Sequence, residues 1–155
     1  MRSVRFSALS ALATTTLVAG LALAPVAAQS DEAADVVTDW NVNALGAIAA
    51  SGAAPTLGSA LMGMVHGAVY DAVVSIAGGY EPYLGQLEAD PEASKVAAAA
   101  AAAHGVLDGL FPEQSAVLQA LLDASLAEVP DGAAKDTGIA VGQAAAAAML
   151  AEREG

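Results

Sequence analysis

The chain has 155 residues, 56% of them hydrophobic and none of them cysteine, with 17 acids against five lysines and arginines for a formal net charge of −12. That length suits one domain with a modest core, held together without disulfides. A surface of that sign repels phosphate backbones and anionic headgroups, which argues against nucleic-acid binding whatever the fold.

The first 28 residues read as an export signal. Arg2 and Arg5 form a basic start, Ala8 to Ala24 an apolar run broken by small polar residues, and Val26-Ala27-Ala28 a small-residue cleavage site before Gln29. An uncleaved N-terminal anchor is the alternative. The expected destination is secreted or extracytoplasmic. Taking 28 from 155 leaves a domain of 127 residues, 29–155, in which the acids face only Lys95, Lys135 and Arg153, so 3 − 17 gives −14. The acids read as solvated helix faces that keep an alanine-rich protein soluble.

Beyond the signal the pattern predicts an all-α bundle of about five helices. The first runs from Asp31 to about Ala50, with Asp31, Glu32 and Asp35 in its favourable first turns and Val36, Trp40, Leu45 and Ile48 as large apolar residues. Ser51 to Pro55 ends it.

The second helix lies in Leu57–Leu84, the stretch richest in residues that are not interchangeable. At 100° per residue Leu61, Met62, Val65, Val69, Ala72, Val73 and Ile76 share one arc, with His66 and Tyr70 at its edge and Met64, Asp71 and Ser75 facing away. Gly63 and Gly67 leave a strip where another helix approaches closely. Gly78-Gly79 stops the helix, and the long break to Pro91 is expected to be an ordered loop packed over the bundle.

Ser94 is expected to cap a third helix ending at Leu110, and Phe111-Pro112-Glu113 forms a tight joint to the fourth, with proline at its first position. That helix carries Leu118, Leu121, Leu122, Leu126 and Val129 at helical spacing. Pro130-Asp131-Gly132 breaks it, Asp131 is the expected cap, and the fifth helix runs from about Ala133 to the end. The tracts Val96–Ala103 and Ala144–Ala148 show no size contrast that selects a face. Close helix packing is the favoured reading, low-complexity filler the other, and a membrane span is disfavoured by the acids and glycines in every segment.

The candidates for chemistry are few. His66 sits at the margin of an apolar face, where a hydrogen-bonded packing role competes with a ligand role. His104 has one local partner, Asp108 at i+4. There is no HExxH, helical two-histidine pair, Gly-x-Ser-x-Gly elbow, Walker loop or GxGxxG. No catalytic, cofactor-binding or metal-binding residue is assigned.

The order of several segments does carry a resemblance. Asp39-Trp40-Asn41, Met64 to Val73 (MVHGAVYDAV), Gly79 to Leu84 (GYEPYL), Ala99 to Leu107 (AAAAAHGVL), Leu110-Phe111-Pro112, and Val129 to Gly132 through Gly138 to Gly142 resemble the N-terminal part of secreted bacterial vanadium-dependent haloperoxidases, in the type 2 phosphatidic acid phosphatase superfamily. The likeness spans essentially all of residues 29–155. It implies an exported helical bundle whose complete relatives hold vanadate or phosphate.

The family's oxyanion pocket comes from a Lys…Arg-Pro segment, a Pro-Ser-Gly-His segment and a Ser-Arg…His segment, and none of these occurs in the chain. A tetrahedral oxyanion needs several converging cationic donors, which one arginine and two lysines far apart in the sequence do not supply. His66, flanked by Val65 and Gly67, matches neither histidine motif. The resemblance therefore implies a partial, inactive N-terminal region, completed by a catalytic half or by its own oligomer. This reading expects an exposed apolar surface with Trp40, the His66 and Tyr70 edge, or the Gly63 and Gly67 strip as contributors. The alternative is a stand-alone acidic helical module for protein interaction or self-association, in which the same features are buried. A third reading restores activity with a catalytic half on another chain.

Overall fold

Residues 30–154 are described by a computed structural model, with side chains described from Val36 to Arg153. The expected signal segment lies outside them, as do the side chains of Asp31, Glu32 and Asp35. Among the described residues there are five α-helices and no strand: α1 Ser30–Ala50, α2 Pro55–Ala77, α3 Lys95–Leu110, α4 Ser115–Ala127 and α5 Ala133–Glu154. A 3-10 turn, Pro112–Gln114, precedes α4, so Pro112 opens that turn and not the α-helix. Val129 is buried just beyond the end of α4.

The boundaries follow from local chemistry. Pro55 starts α2, and the Ser94 side chain accepts a hydrogen bond from the Ala97 N–H to cap α3. Gly78 and Gly79, at φ 68° and 83°, take the chain out of α2 through left-handed conformations that other residues resist. Asp131 does not act as a cap. Its carboxylate instead pairs with Lys135 at 2.8 Å, in the first turn of α5.

The bundle is organised around α3, which touches each of the other four helices. Ala97 to Ala103 are all at most 2% exposed, so two full turns are enclosed on every side. Alanine makes this geometry accessible, because a helix without bulk can be approached closely from all directions. The stretch containing α2 is thus not the hub, although its large side chains make it stand out in the sequence.

The closest approach is between α3 and α5, which run parallel. The Ser94 N–H donates to the Ala134 carbonyl at 2.7 Å where both helices begin. Further along, Gly142 abuts the Ala98 carbonyl, and a Cβ on Gly105 or Gly109 would come within 2.7 Å of Ala146 Cβ or 2.6 Å of Leu150 Cδ1. Small residues on both partners bring backbones nearly into contact, where Cα–H groups face carbonyl oxygens. Ala97 to Ala103 are therefore a packing surface, as are Ala145 and Ala146 of the second tract, whose Ala144 and Ala147 are exposed.

By contrast, α1 and α2 form an antiparallel hairpin, with Ile48 against Gly58 at one end and Asn41 beside His66 at the other. Of the two glycines in the expected close-approach strip, Gly67 faces Met149 of α5, while Gly63 has nothing near it. Met64, Asp71 and Ser75 are buried, contrary to the single-face reading, because α2 contacts α1, α3 and α5. At 23 residues α2 is long and apolar enough to cross a membrane, but more than half of its most apolar window is packed inside the bundle.

Candidate functional site

Two groups of polar side chains interrupt this apolar packing. The first joins α1, α3 and α4. Trp40, only 1% exposed, packs edge-on against His104 with ring centroids 6.2 Å apart and planes at 84°. Its indole N–H donates to Ser125 Oγ at 3.1 Å, and that hydroxyl in turn donates to the Leu121 carbonyl at 3.1 Å. Trp40 was an expected contributor to an exposed docking surface; instead it closes the core, because α4 supplies a partner for its one polar atom.

His104 Nε2 and Asp108 Oδ1 are buried in the same region without hydrogen-bond partners. Burial pushes the His104 pKa below its ordinary 6.5, opposed in part by the charges of Asp108 and Asp123. A neutral imidazole against an indole edge is a packing arrangement first. Beside this cluster a cleft of about 300 Å³ opens between α1, the start of α3 and the end of α4, with Val36, Val96 and Val129 as apolar walls and Asp39 and Glu128 among its polar ones. Lined by carboxylates, it suits no phosphate-like anion.

The second group fastens the loop after α2. Consecutive backbone N–H groups of Tyr83 and Leu84 donate to the two oxygens of the Asp71 carboxylate, the Leu84 bond measuring 2.9 Å. The Tyr70 hydroxyl donates to the Glu81 carbonyl at 3.0 Å, and the Leu87 N–H to Ser75 Oγ at 3.3 Å. Asp71 is only 3% exposed, and its charge is met by two donors that the loop would otherwise bury unpaired. Assigning Asp71 to the solvent side missed this role. The available signal was an acid inside an apolar stretch, followed by a tyrosine- and proline-containing exit.

The remaining candidates stay apart. His66 is exposed, with Nε2 3.2 Å from Asn41 Oδ1, and is joined to neither group. Lys95 and Lys135 lie at the same end of the parallel pair α3 and α5, so their separation in sequence is not a separation in space; Lys135 is already paired with Asp131. Arg153 sits in the last turn of α5, at the other end. Among the described residues no three histidines or acids are grouped to hold a metal ion.

Comparison with known proteins adds no assignment. No protein-family model, no curated protein and no solved structure matches the chain.

Proposed function

We propose that the chain is the exported N-terminal helical region of a vanadium-dependent haloperoxidase- or acid phosphatase-like protein, a scaffold that supplies none of the oxyanion-binding groups and is inactive alone. The supporting observation is the clamp between α2 and its exit loop. Alanine-rich helices match one another by composition, but the side chains of Tyr70 and Asp71, in one segment of the resemblance, hold the backbone of another, through the Glu81 carbonyl and the Tyr83 and Leu84 N–H groups. Tyr70 and Asp71 thus have a physical reason to stand before this loop, which chance similarity of alanine tracts lacks.

In this reading vanadate belongs to the complete protein, and its cationic ligands come from a catalytic half. The test is calorimetric titration of the purified chain with vanadate, with phosphate as competitor, alone and after addition of a polypeptide carrying the three missing segments. The chain alone is expected not to bind, and the combination is expected to bind. Tight, competable binding by the chain alone would refute the reading, as would a combination that never assembles.

A second reading, a stand-alone acidic module for protein interaction or self-association, is favoured by a different observation. Trp40 is enclosed, and Met149 fills the space over Gly67, so the five helices cover features that an absent half was expected to cover. An exposed His66, an exposed Tyr70 and an open Gly63 fit the first reading better.

A further inference from the structure

We propose that two copies of the chain associate through the outer face of the α1/α2 hairpin. The first ground is charge. From Trp40 to Tyr70, 31 consecutive residues contain no Asp, Glu, Lys or Arg, in a chain of net charge −12. Of the two flanking acids, Asp71 is turned inward and bonded to loop amides, while Asp39 is exposed one turn before Val42 and so marks the edge of the face.

The second ground is what this face displays. Val42 and Leu45 are 62% and 55% exposed on α1, and Leu45 borders a groove of about 460 Å³ between the two helices, with Met62 also in its lining. No charged side chain lines that groove. The outer side of α5 is also uncharged between Asp136 and Glu152, but its exposed residues there are alanine and glutamine, which offer no large anchor.

Together these select the partner. A second copy brings the same acids, so contact through any acid-bearing face sets like charges against each other, whereas this face meets its counterpart without that penalty. A basic protein is drawn to the acidic faces and finds no opposite charge on this one. A two-fold contact is self-complementary, so one hairpin face serves both copies, with Leu45 of each as the anchor beside the groove of the other. The inference deepens the second functional reading by naming the face and the partner.

The experiment is sedimentation velocity of the purified full chain over a range of concentrations, at low and at high salt. A dimer is expected, tighter at high salt because the remaining acids are then screened. Leu45→Glu places one carboxylate per copy in the contact and should weaken association by about tenfold or more, whereas Val117→Glu, at another exposed apolar position but on α4, should leave it unchanged. Circular dichroism checks that both variants fold, and Leu45→Lys gives a second reading at the same position. A wild-type chain that stays monomeric, or an association that Leu45→Glu and Leu45→Lys do not weaken, overturns the proposal. So does a chain that associates only with a different polypeptide. Vanadate titration reads the scaffold proposal independently, so the two fail separately.

Discussion

Replacing Gly142 with alanine should reverse the usual sign of a glycine-to-alanine change in a helix. On propensity alone the substitution stabilises by about 1 kcal/mol. Here the new methyl would press on the Ala98 carbonyl and lie 2.8 Å from Ala101 Cβ and 2.9 Å from Ala102 N. Carbon atoms pack best at about 3.5–4.0 Å, so α3 and α5 must separate by about 1 Å, a gap that forfeits a quarter to a half of the attraction along that seam. Two of the three obstructing atoms are backbone and cannot rotate away, which puts the cost near the top of the overpacking range, about 3 kcal/mol. The net effect is a loss of about 2 kcal/mol. In urea, followed by circular dichroism, the midpoint should fall by about 1 M with an unchanged slope, and the melting temperature by roughly 5–10 °C. Gly63→Ala is the paired control: it is exposed and meets nothing within 4 Å, so it should gain roughly 0.5–1 kcal/mol. If Gly142→Ala is as stable as the wild type, or Gly63→Ala is the more damaging of the two, the close-packed seam is wrong.

Other expectations test the polar groups. Asp71→Asn leaves an amide nitrogen where one acceptor stood, so either the Tyr83 or the Leu84 N–H loses its partner at a cost of about 1–3 kcal/mol; hydrogen exchange at those two amides should accelerate, and unchanged exchange would show that the carboxylate does not hold the loop. His104 has a lowered folded pKa, so on acidification the unfolded chain takes up a proton first. Its contribution is therefore complete above about pH 6.5 and declines below it, until the folded imidazole also titrates. Melting temperatures of the wild type and His104→Gln, compared across that window, should converge as the pH falls; divergence would refute the assignment.

Much of the fold is readable from punctuation. Pro55, Gly78-Gly79, Ser94, Phe111-Pro112 and Pro130-Asp131-Gly132 bracket five helices close to where they are observed, since the prolines and glycines start or block a helical turn by their covalent geometry and Ser94 caps one with its side chain. The rank of the helices is not readable in the same way. Helical-wheel reasoning weighs side chains by size, so it singles out α2 and is silent about a run of alanines, whose burial depends on what the other helices bring. Asp71 was misplaced for a related reason: the wheel assumes that a polar residue off the apolar arc seeks water, whereas this one is met by the backbone of a loop 12 and 13 residues away. Trp40 is a third case, because its partner Ser125 lies 85 positions along the chain. The candidate chemistry is legible chiefly as a lack of cationic and metal-binding motifs.

The seven alanines from Ala97 to Ala103 have a consequence for how this chain tolerates change. By the measure of sequence complexity they carry little information, and a filter for biased composition would discard them. With every side of the helix enclosed, however, any larger residue there meets another helix, and glycine loosens the one element that all the others touch. The least varied words in the sequence are thus the ones with the fewest synonyms. A random mutational library should retain its variety on the exposed side of α4, as at Val117, and lose it at these seven positions.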